Sequence, residues 1–173
     1  MEKHLISPAD VPKLARPMSI HVDPDEVNVF IDETEQMDIV PAIGAELYFE
    51  LLSDIVNEKY KTLLDGGFYT DSKNKKRIFK GLRATVAYYT YARLAKNDGK
   101  ILGESGLIQH QDEYYNRTEN KQRIVSYNDA FNVADQYLAD VLLYIKETTP
   151  SSGCCDGGYK VANKRARIID IGD

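Results

Sequence analysis

Phe131-Asn132-Val133-Ala134-Asp135-Gln136-Tyr137-Leu138-Ala139-Asp140-Val141-Leu142-Leu143-Tyr144-Ile145 decides the fold class. Phe131, Ala134, Leu138, Val141, Leu142 and Ile145 recur at steps of three and four, so one face of an α-helix carries them all. The pattern extends back to about Glu119 and must stop before Pro150, which cannot continue a helix.

Moving towards the N-terminus, residues 101–115 lose this period and contain Gly103 and Gly106, as a loop or short hairpin would. Connections of this length between helices are usually functional or form interfaces. A helix is predicted from about Lys76 to Asn97, with Phe79, Leu82, Val86 and Tyr89 on its inner face. Tyr88, Tyr91 and Leu94 widen that face, as expected of a central helix. Thr70 to Lys76 reads as a polar loop. Leu47, Tyr48, Leu51, Leu52, Ile55 and Val56 form two adjacent apolar rows of another helix, continued by Tyr60, Leu63 and Leu64 and stopped at Asp65-Gly66-Gly67. Before it, Asp23-Pro24-Asp25-Glu26 is a helix start: a capping aspartate, proline at the first position, and acids at the positive end of the dipole. Val27, Phe30 and Ile31 share a face, and the helix is expected to reach about Met37 and to break or bend at Pro41.

The expected architecture is all-α: a compact bundle of about four helices over residues 23–148, with a long middle loop or hairpin and extended arms at both ends. In residues 1–22, Pro8, Pro12 and Pro17 prevent a continuous helix, and such arms often pack on a neighbour. Residues 149–173 open with linker chemistry, Ser151-Ser152-Gly153 and Asp156-Gly157-Gly158. A short β-prone segment follows, and Tyr159, Lys164, Arg165, Arg167, Ile168, Ile169 and Ile171 are the candidate interaction residues of a docking arm.

Composition narrows the function classes. The chain has 173 residues, 43% of them hydrophobic and 28% charged, enough for one core without a metal or disulfide. A net charge of −5 argues against bulk attraction to nucleic acid or to anionic membranes. Residues 1–20 lack the apolar run of a signal peptide, and no stretch approaches a membrane span, so the chain is expected in the cytosol when made.

Recognisable catalytic patterns are missing. Gly99-Lys100 ends like a phosphate loop, but position 94 is leucine. Gly103-Glu104-Ser105-Gly106 fails the nucleophile-elbow spacing because position 107 is leucine. Cys154 and Cys155 are adjacent and the three histidines, His4, His21 and His110, are scattered, so no zinc set is expected. The acids Asp25, Glu26, Asp32, Glu33, Glu35 and Asp38 could hold a metal in principle, but the helix needs a solvated face opposite Val27, Phe30 and Ile31. Asp71-Ser72-Lys73 supplies the letters of a nuclease element, yet its partner Asp25 begins a helix instead of lying on a strand. The 12 tyrosines, clustered as at Tyr88, Tyr89 and Tyr91, are expected to pack in the core with hydroxyls at a polar edge. No catalytic residue, metal or cofactor is therefore expected.

Asp38-Ile39-Val40-Pro41-Ala42-Ile43-Gly44-Ala45-Glu46-Leu47-Tyr48, followed by Leu51-Leu52 and Tyr60-x-x-Leu63-Leu64, resembles the head–tail connector (adaptor) proteins of tailed bacteriophages. It is most similar to versions from phages and prophages of Bacteroides-type bacteria, including the crAss-like group. The order of elements matches too: the Leu-Tyr helix, the tyrosine-rich helix at Ala87-Tyr88-Tyr89-Thr90-Tyr91-Ala92, the middle segment at Gly106-Leu107-Ile108 and a long last helix. The similarity covers roughly residues 23–148; the loop 66–76 and the tail after Pro150 depart from it. The resemblance implies a virion protein, not an enzyme. Such a subunit forms a homo-oligomeric ring, typically of about twelve copies. The ring lies between the portal and other neck or tail proteins, and DNA passes through without specific binding. The alternative from the residues alone is a small helical DNA-binding or regulatory protein, with Lys75, Lys76, Arg77, Lys80 and Arg83 on a recognition helix.

Overall fold

The computed structural model describes residues 4–19, 21–53, 58–97, 100–103, 106–109 and 120–148. A 3-10 turn at Pro8–Asp10 leads into α1 (Val11–Leu14), followed by α2 (Pro24–Thr34), a π-helical turn (Glu35–Ile39) and α3 (Val40–Ile43). Next come α4 (Ala45–Ser53), α5 (Glu58–Asp65), strands β1 (Gly67–Thr70) and β2 (Lys76–Phe79), and α6 (Gly81–Asn97). Strands β3 (Lys100–Gly103) and β4 (Gly106–Gln109) precede the long α7 (Asn120–Thr148). The fold is all-α with two small antiparallel hairpins.

The periodic face of α7 is the one it buries: Ala134, Val141, Leu142 and Ile145 are buried, with Phe131 and Leu138 packed at the edge of the core. Its partner is α6, which also packs against α1, α2 and α5 and is the central helix. Leu82, Val86 and Tyr89 on α6 are fully buried. The two helices run antiparallel, with Tyr88 edge-on to Tyr137 and Tyr89 edge-on to Phe131.

The N-terminal segment differs from the expected arm. Leu5, Ile6 and Val11 are buried in the core of the same chain. Pro8 and Pro12 each sit in the first turn of a short helical element, where a missing N–H costs nothing. Arg83 Nε donates to the Leu5 carbonyl at 3.3 Å, and Arg16 pairs with Asp129 of α7 at 2.5 Å.

Pro41 does not break the second helix. Proline lacks the N–H owed to the carbonyl four residues back and its ring crowds that carbonyl. Here the helix widens instead, Val40 N–H reaching back to the Glu35 carbonyl, and runs on to Gly44, whose φ of 87° ends it. The predicted loop at 70–76 and the first residues of the predicted third helix together form the β1–β2 hairpin. Its register pairs Gly67 with Phe79 and Phe68 with Ile78. The middle segment does contain a hairpin, β3 pairing with β4.

Candidate functional site

Three groups of side chains stand out chemically: the acids of the second helix, the turn of the first hairpin, and the apolar surface that hairpin carries.

The acids divide. Asp25, Glu26, Asp32 and Glu33 are exposed, as a solvated face requires, but Glu35 and Asp38 are 0% and 1% exposed. The π turn aims both into the core. Glu35 Oε1 accepts from the Leu5 backbone N–H at 2.7 Å, and Oε2 accepts from the Tyr48 hydroxyl at 2.8 Å and faces His4 Nδ1 at 2.9 Å. With Nδ1–H as the donor, His4 Nε2 is buried without a hydrogen-bond partner. Asp38 Oδ2 pairs with Arg93 of α6 at 2.6 Å, and Arg93 Nε reaches Thr34 Oγ1 at 3.3 Å. Burial, then the Glu35 carboxylate, pushes the Tyr48 phenol above its ordinary range. Both carboxylates are closed off from solvent and filled by internal donors, so their chemistry is structural: they hold the N-terminal segment, the π turn, α4 and α6 together. The expectation of a solvated face fails at these two positions. No cluster of three or more metal-ligating side chains occurs among the described residues.

A similar arrangement joins the two longest helices. Tyr89 donates to Asp135 Oδ1 at 2.5 Å, and burial, reinforced by that carboxylate, raises the phenol well above its usual range. The clustered tyrosines of α6 are thus core and edge groups, as expected.

Asp71 is 7% exposed and organises the hairpin turn. Its Oδ1 accepts from the backbone N–H groups of Lys73 (2.9 Å) and Lys75 (2.8 Å), and Oδ2 accepts from Arg77 Nε (2.9 Å). These bonds, the Lys75 N–H first and the Arg77 guanidinium next, hold the carboxyl below the ordinary aspartate range. Asn74 takes the left-handed φ of 60° that closes the turn. A carboxylate so occupied cannot serve a nuclease, and Asp25 lies on a different element.

The two faces of the hairpin differ. Tyr69 and Phe79 point inward, where Phe79 stacks on Tyr144 of α7 at 4.5 Å and Tyr69 meets the same ring edge-on. Phe68 and Ile78, directly opposite each other in the register, are 78% and 62% exposed. Lys73, Lys75, Lys76 and Lys80 surround them, all exposed. This part of the predicted recognition helix is therefore hairpin, and Arg83, the one member within α6, pairs with Asp65 at 2.7 Å. The candidate arm residues Tyr159, Lys164, Arg165, Arg167, Ile168, Ile169 and Ile171 lie outside the described residues, as do Cys154 and Cys155.

Residues 39–157 match the model of a family of unknown function (DUF6712). The chain belongs to that family. The matched region begins inside the π turn and takes in both hairpins, α6 and α7. Glu35 and Asp38 fall just before it, while their partners Tyr48 and Arg93 fall within it. No curated protein matches the chain, and no solved structure does.

Proposed function

We propose that this chain is a structural virion protein, a head–tail adaptor subunit whose ring joins the portal to the tail and extends the DNA channel. The observation that carries this reading is the outer face of the first hairpin. Two large apolar side chains, Phe68 and Ile78, stand side by side in solvent on a hairpin anchored to the core by Tyr69 and Phe79. Apolar groups presented together on a firmly held element suit a protein partner. The buried carboxylates Glu35, Asp38 and Asp71 are all engaged internally, which suits a protein that acts by shape and contact. The resemblance of the stretch from Asp38 to Leu64 to phage adaptors supplies the assembly in which such contacts work.

The test is the mass of the full chain in solution at high concentration, with negative-stain images of the same sample, alone and mixed with a candidate portal protein. Closed rings of roughly a dozen subunits, or a chain that joins the portal, are expected. A stable dimer indifferent to the portal would overturn the reading. The second reading, a DNA-binding protein, draws on the exposed lysines of the hairpin. It predicts salt-dependent binding of duplex DNA by the isolated monomer.

A further inference from the structure

The geometry points to a head-to-tail contact between copies of this chain, in which the outer face of the β1–β2 hairpin seats on the acidic outer face of α2 in the next copy. The inference rests on the ring in the reading above, though not on its place in a virion.

The hairpin is a basic stretch in an acidic chain. Residues 71–80 hold five cations and one acid, Asp71, while the whole chain carries −5. Asp71 is engaged with Arg77, so Lys73, Lys75, Lys76 and Lys80 set the sign of the exposed surface. Among the described acids of the body, Glu147 accepts the Ser72 N–H and Asp140 lies close enough to act on Tyr69. The surface offered to a partner is thus two apolar side chains framed by lysines.

The outer face of α2 has the opposite character. Asp25, Val29 and Asp32 recur at four- and three-residue steps on one exposed face, flanked by Glu26 and Glu33. Val29 is 57% exposed at its centre. An apolar side chain framed by acids fits an apolar pair framed by lysines in both charge and hydrophobicity.

The same charges exclude the symmetric alternatives. Hairpin against hairpin would set lysines against lysines, and α2 against α2 would set acids against acids. Two different surfaces that prefer each other make a heterologous contact, which closes into a ring or propagates as a filament. The surfaces are also separated within one chain. The hairpin joins α6 at Gly81, whereas the end of α2 meets α6 at Thr90 and Arg93, roughly 15 Å further along at 1.5 Å per residue.

The experiment uses the full chain and two charge reversals, Lys73→Glu/Lys75→Glu/Lys76→Glu and Asp32→Lys/Glu33→Lys, all at exposed positions. Sedimentation velocity over a concentration series measures association, and circular dichroism checks that each variant is folded. Each reversed chain alone is expected to associate roughly a hundredfold more weakly than the parent, since like charges then face each other. An equal mixture should recover association, because each reversed surface meets its complement. Phe68→Ser/Ile78→Ser should weaken association with helicity unchanged. The proposal is overturned if either reversed chain assembles like the parent, if folded reversed chains fail to rescue each other, or if the parent stays monomeric at the highest concentration. Salt-sensitive binding of duplex DNA by a monomeric parent, lost in the lysine variant, would assign the hairpin to nucleic acid instead. Rings that survive every substitution leave the adaptor reading standing and remove this contact. Assemblies that obey the charge rule yet ignore the portal do the reverse.

Discussion

Replacing Glu35 with alanine should be among the most damaging single changes in this protein. The side chain is fully buried and receives the Leu5 N–H, the Tyr48 hydroxyl and His4 Nδ1. Alanine leaves all three without an acceptor in a dry site, and each orphaned buried group costs about 1–3 kcal/mol. The tyrosine hydroxyl can rotate, but the Leu5 N–H cannot, and His4, whose Nε2 already lacks a partner, loses the one that its Nδ1 has. A loss of about 3–6 kcal/mol follows, a large part of the roughly 5–15 kcal/mol that holds a typical domain. Glutamine is the informative control. Its carbonyl oxygen can keep the Leu5 bond, and its two amide hydrogens can face Tyr48 and a re-tautomerised His4. Charge assistance is lost and the Tyr48 hydroxyl hydrogen must turn to another acceptor, and the expected cost is about 1–2 kcal/mol. Urea unfolding followed by helical circular dichroism measures both. If glutamine proves as costly as alanine, or alanine costs less than about 1 kcal/mol, the buried carboxylate is not what ties the N-terminal segment to the core.

Gly66→Ala and Gly81→Ala should each destabilise by several kcal/mol, about 3 or more, because both residues have φ of 82° and an added Cβ would lie 2.5 and 2.3 Å from the other segment's backbone. The double substitution should cost less than the sum, since the two share one contact, and a thermal-denaturation cycle reads this directly. Asp71 titrates below the ordinary aspartate value of 3.8 in the folded chain, so its contribution is complete above that value and is lost as pH falls through the lower folded one. Exchange of the Lys73 and Lys75 amides should accelerate there, and Asp71→Ala should remove that acid step. Tyr48 and Tyr89 behave oppositely: their raised phenols contribute fully below the ordinary value of 10 and lose that contribution as pH rises above it. Alkaline unfolding should therefore coincide with tyrosinate absorbance, and Tyr89→Phe should move its midpoint upward.

Much of the bundle was legible because helices announce themselves by spacing. The rows Leu82, Val86, Tyr89 and Ala134, Val141, Ile145 are long enough for the period to be unambiguous. Glu35 and Asp38 depart from expectation in their chemistry, not in their spacing. Val27, Ile31, Thr34, Glu35 and Asp38 continue one stripe at helical steps, and the stripe pointed inward throughout. A carboxylate on that stripe was a signal of a buried partner, and Arg93, on the face of α6 that meets α2, was available as one. The first hairpin was hidden for another reason. Its strands are four residues each, and in β2 three of the four residues face solvent. Phe79 lies three residues before Leu82, so it also satisfied the helical period that follows. In the N-terminal segment the prolines interrupt any helical period that would mark Leu5, Ile6 and Val11, which carry the packing.

The close approach of Gly66 and Gly81 has a consequence for how this protein can diversify. The two glycines pinch together the entry and exit of everything between them, so the enclosed segment behaves as a cassette mounted on a fixed socket. Inward anchors at Tyr69 and Phe79 hold the cassette in place, while Phe68, Ile78 and the lysines are unconstrained by the bundle. Substitutions at these outward positions can accumulate without disturbing the packing of α6 or α7. Lineages could exchange one binding preference for another by rewriting about a dozen residues and leave the chassis untouched.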